Sequence, residues 1–181
     1  MTIIARLCVL VNLPVCGPKL NIGMDELIYY IEQHRLSHQN PREFRGRSLA
    51  PHIPEIDRLR QLHGCDTILD YGCGKAQCWP AHWQGRITGY DPAYGPYSAR
   101  PAGTFDMVIC TDVMEHVPES AVAWVLQDIF GWAGKWVYLS ICTRAAGKLL
   151  PDGTNKHVTV RPREWWDQQL RSFDRYTVHY H

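Results

Sequence analysis

The chain of 181 residues is long enough for one domain with a sheet covered by helices on both faces, and needs no second domain. Nineteen Lys and Arg against eighteen Asp and Glu leave a formal charge of +1, which excludes a global field drawing the protein to nucleic acid or membrane and confines any basic patch to a local one. The seven cysteines are odd in number and fall mostly in expected strands and turns, which favours reduced thiols and a cytoplasmic setting over a disulfide framework.

In chain order, residues 3–17 are apolar but interrupted by Arg6, Asn12 and Pro14, too short and too broken to span a bilayer. A signal peptide wants a basic start ahead of its apolar run, and here Arg6 lies inside the run. The segment 1–23 therefore reads as an arm outside the domain, with Met24 as an alternative natural start, and the domain spans 24–181. From Met24, the apolar positions Leu27, Ile28, Ile31 and Leu36 with Asp25 and Glu26 in front predict a helix, expected over the cofactor-side edge of the domain. A polar loop follows with Arg42, Arg45 and Arg47, either a solvated connection or, with Arg161 and Arg163, a local anion-binding patch. Pro54 opens a second helix through Ile56, Leu59 and Leu62 that stops at Gly64.

The stretch TILDYGCGKA at 67–76 is an apolar run closing on Asp70 and two glycines, the pattern of a buried strand feeding a tight turn. Gly72 and Gly74 let the backbone turn with no Cβ in the way, so that a ligand could rest on main-chain N–H groups and on the start of a helix over 75–83. Cys65, Cys73 and Cys78 around this turn lack paired C-x-x-C spacing and do not read as a zinc site. The segment 86–91 reads as a second short strand ending on Asp91, where dinucleotide-type folds place a carboxylate for ribose hydroxyls. A third strand begins at Phe105 and runs into Thr111, Asp112, Glu115 and His116. The link 92–104, rich in Pro and Gly, is too short for a helix, a strand and a further helix, although extended chain can cross a sheet over that length. Beyond it come a helix with Val122, Val125, Leu126, Ile129 and Phe130 on one face, a β-branched strand at 135–142, and a long loop carrying His157. A helix after Pro162 and a last strand at 175–180 complete the chain.

With LDYGCGKA, GYDPA and FDMVICTDVMEHV in this order, the sequence resembles the class I S-adenosylmethionine-dependent methyltransferases over roughly residues 66–166. The resemblance implies an α/β, Rossmann-like, doubly wound and mainly parallel sheet. Here it is shortened, with the third strand and its flanking helices missing or vestigial and the last antiparallel strand absent, leaving an open sheet edge for a homodimer contact. It implies S-adenosylmethionine held by Asp70, Gly72, Cys73, Gly74, Asp91, Pro92, Thr111 and Asp112, and methyl transfer to an oxygen or nitrogen on a small molecule or a nucleic-acid end. The D-x-x-E-H segment is similar to that of small-RNA 3′-terminal 2′-O-methyltransferases and, in its shorter part, of ubiquinone-biosynthesis O-methyltransferases. That likeness implies Glu115, His116 and His157 as catalytic residues and Asp112, Glu115, His116 and His157 as ligands of a divalent metal such as manganese, iron or zinc. Two other readings stay open: His116 as a general base or a capping residue without metal, and the whole chain as a degenerate scaffold that binds a partner.

Overall fold

The computed structural model describes residues 21–40 and 46–181. The expected arm up to residue 20, and Arg42 and Arg45 of the arginine loop, lie outside the described residues. Helix α1 spans Asn21–His38 and so begins three residues before the expected start at Met24. After a 3-10 turn at Ala50–His52, α2 runs Ile53–His63. Proline in the first turn of α2 fits where no N–H partner is needed, and Gly64 ends the helix at φ +60°, with the Cys65 N–H returning to the Arg60 carbonyl at 2.9 Å.

Five strands follow: β1 (Ile68–Tyr71), β2 (Ile87–Tyr90), β3 (Phe105–Thr111), β4 (Ala133–Ile141) and β5 (Tyr176–Tyr180). They form one all-parallel sheet in the order β2-β1-β3-β4-β5, with α3 (Val122–Trp132) before β4 and α4 (Arg163–Leu170) before β5. This is an α/β fold. Alternation along the strands sends Leu69, Val108, Cys110, Val137 and Leu139 to one face, where Val125, Leu126 and Ile129 of α3 and Trp166 and Leu170 of α4 cover them. Ile68, Met107, Ile109 and Tyr138 go to the other face, under Ile56 and Leu59 of α2. Leu27 brings α1 into the first of these layers.

Two connections depart from ordinary βαβ geometry. The helix expected over 75–83 does not form: the segment is turns and a single 3-10 turn at Ala81–Trp83. Ala76 sits at φ +51°, Pro80 is extended, and two tryptophans do the covering that a helix face would. Trp83 is fully buried and donates to Asp57 at 2.7 Å, while Trp79 packs so closely on β2 that a Cβ at Gly89 would lie 3.0 Å from its ring. The link between β2 and β3 holds only a 3-10 turn at Gly95–Tyr97, so β1 lies directly between β2 and β3, and among the described residues no further strand stands beyond β2. Arg100 pins this link to α3 by an ion pair with Asp128 and by stacking 4.9 Å over Trp132. No helix among the described residues is long and apolar enough to cross a membrane.

Gly72, the first residue after β1, has φ +77°, and a Cβ there would meet Val113 at 2.3 Å. Gly64 has a similar φ but opens into free space. Gly64→Ala is therefore expected to cost about 1 kcal/mol from backbone strain, and Gly72→Ala about 3 kcal/mol or more from strain plus overpacking, as read from urea unfolding of the two variants. Equal costs would mean that the Gly72–Val113 contact relaxes freely.

Candidate active site

The carboxyl ends of β1, β2 and β3 deliver the residues singled out in the sequence to one rim of the sheet, which is where open α/β sheets build their sites. The turn after β1 is shaped from β2. The N–H groups of Gly72 and Cys73 both donate to the Tyr90 carbonyl, at 2.7 and 3.3 Å, and the Gly74 N–H donates to Asp91 Oδ2 at 2.8 Å. Asp91 Oδ1 accepts the Ala93 N–H at 2.8 Å. The expectation that these N–H groups and a following helix would face a ligand is thus corrected, because the chain's own carbonyl and carboxylate occupy them. Each carboxylate oxygen still has a lone pair to offer a hydroxyl at the cleft wall.

Asp70 is buried and accepts the Trp79 indole N–H at 2.7 Å. It lines a smaller cavity together with Cys73, Thr111 and Asp112. Burial pushes Asp70 up to about 7, and burial likewise pushes Asp91 up to about 6 against the pull of its backbone donors.

The main cleft encloses roughly 1030 Å³, counting solvent at its mouth. Gly72, Asp91, Pro92 and Asp112 line its sheet side, Val117, Trp124 and Val125 one flank, and Leu27, Ile31, His34 and His38 of α1 its roof. Helix α1 is seated by close approach, since a Cβ at Gly23 would lie 2.6 Å from the Ser120 carbonyl oxygen, and by bonds from Ser120 to Glu26 and from Tyr29 to Asp152 at 2.7 Å. His34 and His38 were not expected at the site. Their signal was the i, i+3, i+4 spacing of His34, Ser37 and His38, which continues the stripe begun by Leu27 and Ile31. Burial, with His116 nearby, drives His34 down to about 2 and keeps its ring neutral.

Of the four expected metal ligands, the structure brings three together. Glu115, His116 and His157 each offer a donor atom within 4.8 Å of the others. The two imidazoles are oriented alike: His116 Nδ1 lies 2.7 Å from the Lys156 carbonyl oxygen and His157 Nδ1 2.6 Å from that of Arg144. A carbonyl can only accept, so each Nδ1 carries a proton, and His116, held neutral by burial, keeps a lone pair on Nε2, the arrangement of metal-binding or proton-accepting histidines. Glu115 is fully buried; one oxygen accepts the Cys142 N–H at 3.2 Å and Oε2 has no partner among the described residues. Burial raises Glu115 to about 8 and lowers His116 to about 4, so these two are nearly uncharged at neutral pH. Asp112 is not in the group. Its φ of +55° turns it aside, and Oδ1 takes the Ser140 hydroxyl at 2.8 Å and lies 2.9 Å from His181 Nε2.

Comparison of the chain with protein-family models, with curated proteins and with solved structures finds no match.

Because Asp70 holds its proton more tightly in the folded than in the unfolded chain, its contribution to stability is full below the unfolded carboxylate range and is lost as pH rises through about 7. Asp91 and Glu115 act in the same direction. Asp70→Asn, which can still accept from Trp79, should shrink the loss of stability between about pH 5 and about pH 8 by on the order of 2 kcal/mol. An unchanged pH slope in chemical denaturation would refute the buried-proton assignment.

Proposed function

We propose that the chain is a methyltransferase with a shortened Rossmann-like fold, using S-adenosylmethionine to methylate an oxygen or nitrogen on a small molecule or a nucleic-acid end. The observation that carries this is that Gly72 of the β1 glycine turn, Asp91 and His116 line one cleft, with Glu115 and His157 grouped beside His116. The cleft fits the cofactor: it is largely apolar, it offers a buried carboxylate at the end of β2, and Gly72 lies in its wall. When bound, the sulfonium supplies an electrophilic methyl group for in-line displacement.

The protein's part is alignment and proton removal. Asp91, fixed by Gly74 and Ala93, receives hydroxyl groups at the cleft wall. His116, locked by the Lys156 carbonyl, presents Nε2 as the acceptor for the proton of an incoming hydroxyl or amine. The donor set also fits a divalent cation, since a buried carboxylate oxygen without a partner among the described residues lies beside two imidazoles whose Nδ1 atoms are engaged by carbonyls, which leaves Nε2 for an ion. Glu115, His116 and His157 would hold it, and it would supply Lewis-acid polarisation of the acceptor oxygen. Reduced cysteines agree with a cytoplasmic setting: the five described cysteines are unbridged.

A partner-binding scaffold is the second reading, favoured by the turn N–H groups that are already engaged and by the missing helix after β1. Calorimetric titration with S-adenosylhomocysteine separates the two. The methyltransferase reading expects binding at one site, weakened at least about tenfold in Asp91→Ala, with that variant also losing about 1–3 kcal/mol of stability from its two orphaned N–H groups. Absence of binding to the wild-type chain would leave the scaffold reading standing. A parallel titration with manganese should weaken at least about tenfold in His157→Ala, and equal affinity in that variant would remove the cation from the mechanism.

A further inference from the structure

Glu115 faces two ligand sets. Besides His116 and His157, it lies with Cys142 and His181 in a second group whose donor atoms are all within 4.8 Å of one another. We infer that Cys142, His181 and Glu115, with Asp112 alongside, form a second metal position, a thiolate-bearing one that takes zinc. The inference rests on this donor cluster and not on methyl transfer.

The sheet itself positions the set. Cys142 directly follows β4, and its N–H donates to Glu115 at 3.2 Å. His181 directly follows β5; its N–H donates to the Ile141 carbonyl at 3.2 Å, and its carbonyl accepts the Thr143 N–H at 2.9 Å and hydroxyl at 3.1 Å. Both backbones are therefore fixed before any ion arrives, which favours a formed site over one assembled on binding. Asp112 lies 2.9 Å from His181 Nε2, and a carboxylate at that distance is the usual outer partner that orients a metal-binding imidazole.

The chemistry points the same way. Cys142 is buried and unbridged, and its Sγ has only a long contact to the Arg144 carbonyl at 3.7 Å. Glu115 is fully buried with one oxygen unpartnered among the described residues, an open acceptor that a cation would engage. Thiolate, imidazole and carboxylate together select zinc over magnesium, calcium or manganese. Donors around tetrahedral zinc lie about 3.5 Å apart, so side-chain rotations of about 1 Å close the group. His181 is exposed and gives the ion a path from solvent.

Cobalt(II), a spectroscopic stand-in for zinc, tests this on the full chain under reducing conditions. A thiolate-to-cobalt charge-transfer absorption is expected on titration, abolished by added zinc. It should be absent in Cys142→Ser and persist in the His116→Ala/His157→Ala double variant. If Cys142→Ser fails to melt cooperatively, His181→Ala decides, since its side chain is partly exposed; it should lower cobalt affinity at least about tenfold. No absorption in the wild-type chain, an absorption that survives in folded Cys142→Ser, its loss in the double variant, or unchanged affinity in His181→Ala would each overturn the inference.

Discussion

The carboxylate of Asp91 is the joint on which this rim of the sheet depends. Its two oxygens each accept a backbone N–H at 2.8 Å, one from the turn after β1 and one from the chain just past β2. Together with the Tyr90 carbonyl, which takes Gly72 and Cys73, they shape the glycine turn from the neighbouring strand. Most βαβ units hold such a turn by the start of a crossover helix. Here that support comes from the side, which is why a connection built on two tryptophans can replace the helix without the turn losing its form.

The strands were legible because burial on both faces writes itself into the sequence as continuous apolar runs, as at Ile68–Tyr71 and Phe105–Thr111. The shortness of the link 92–104 likewise made it readable that this link contributes no strand beyond β2, since chain length limits what can fit. The helix expected over 75–83 does not form although Trp79 and Trp83 stand four residues apart, because Ala76 takes φ +51° and Pro80 is extended, so their rings cover the sheet from turns. The split of Asp112 from Glu115 has a different cause. An i, i+3 pair shares one side only if the helical turn begins at the first residue; here Asp112 takes φ +55° and the 3-10 turn starts at Met114.

Two elements distant in sequence meet at the cleft with matched electrostatics. Burial keeps His34 of α1 and His116 after β3 neutral while it favours the protonated form of Glu115. Ring centroids of His34 and His116 lie 4.7 Å apart, and two charged imidazoles at that distance would repel in a poorly solvated site. Neutrality thus lets the helix lie over the cluster, with uncharged imidazoles of His34 and His116 facing the cleft.

The roof itself is held lightly. Glu26 and Tyr29 tie α1 to the body through exposed hydrogen bonds, while Gln33 Oε1, His34 Nε2 and Ser37 Oγ are buried without hydrogen-bond partners among the described residues. None of these atoms helps to fasten the helix, and two of their residues, His34 and Ser37, line the cleft. Helix α1 therefore belongs to the low-stability end of the domain, where segments detach locally while the sheet stays folded. Its amides should exchange with solvent ahead of those of β1 and β3, and the same excursion that exposes them would uncover the cleft that the helix roofs.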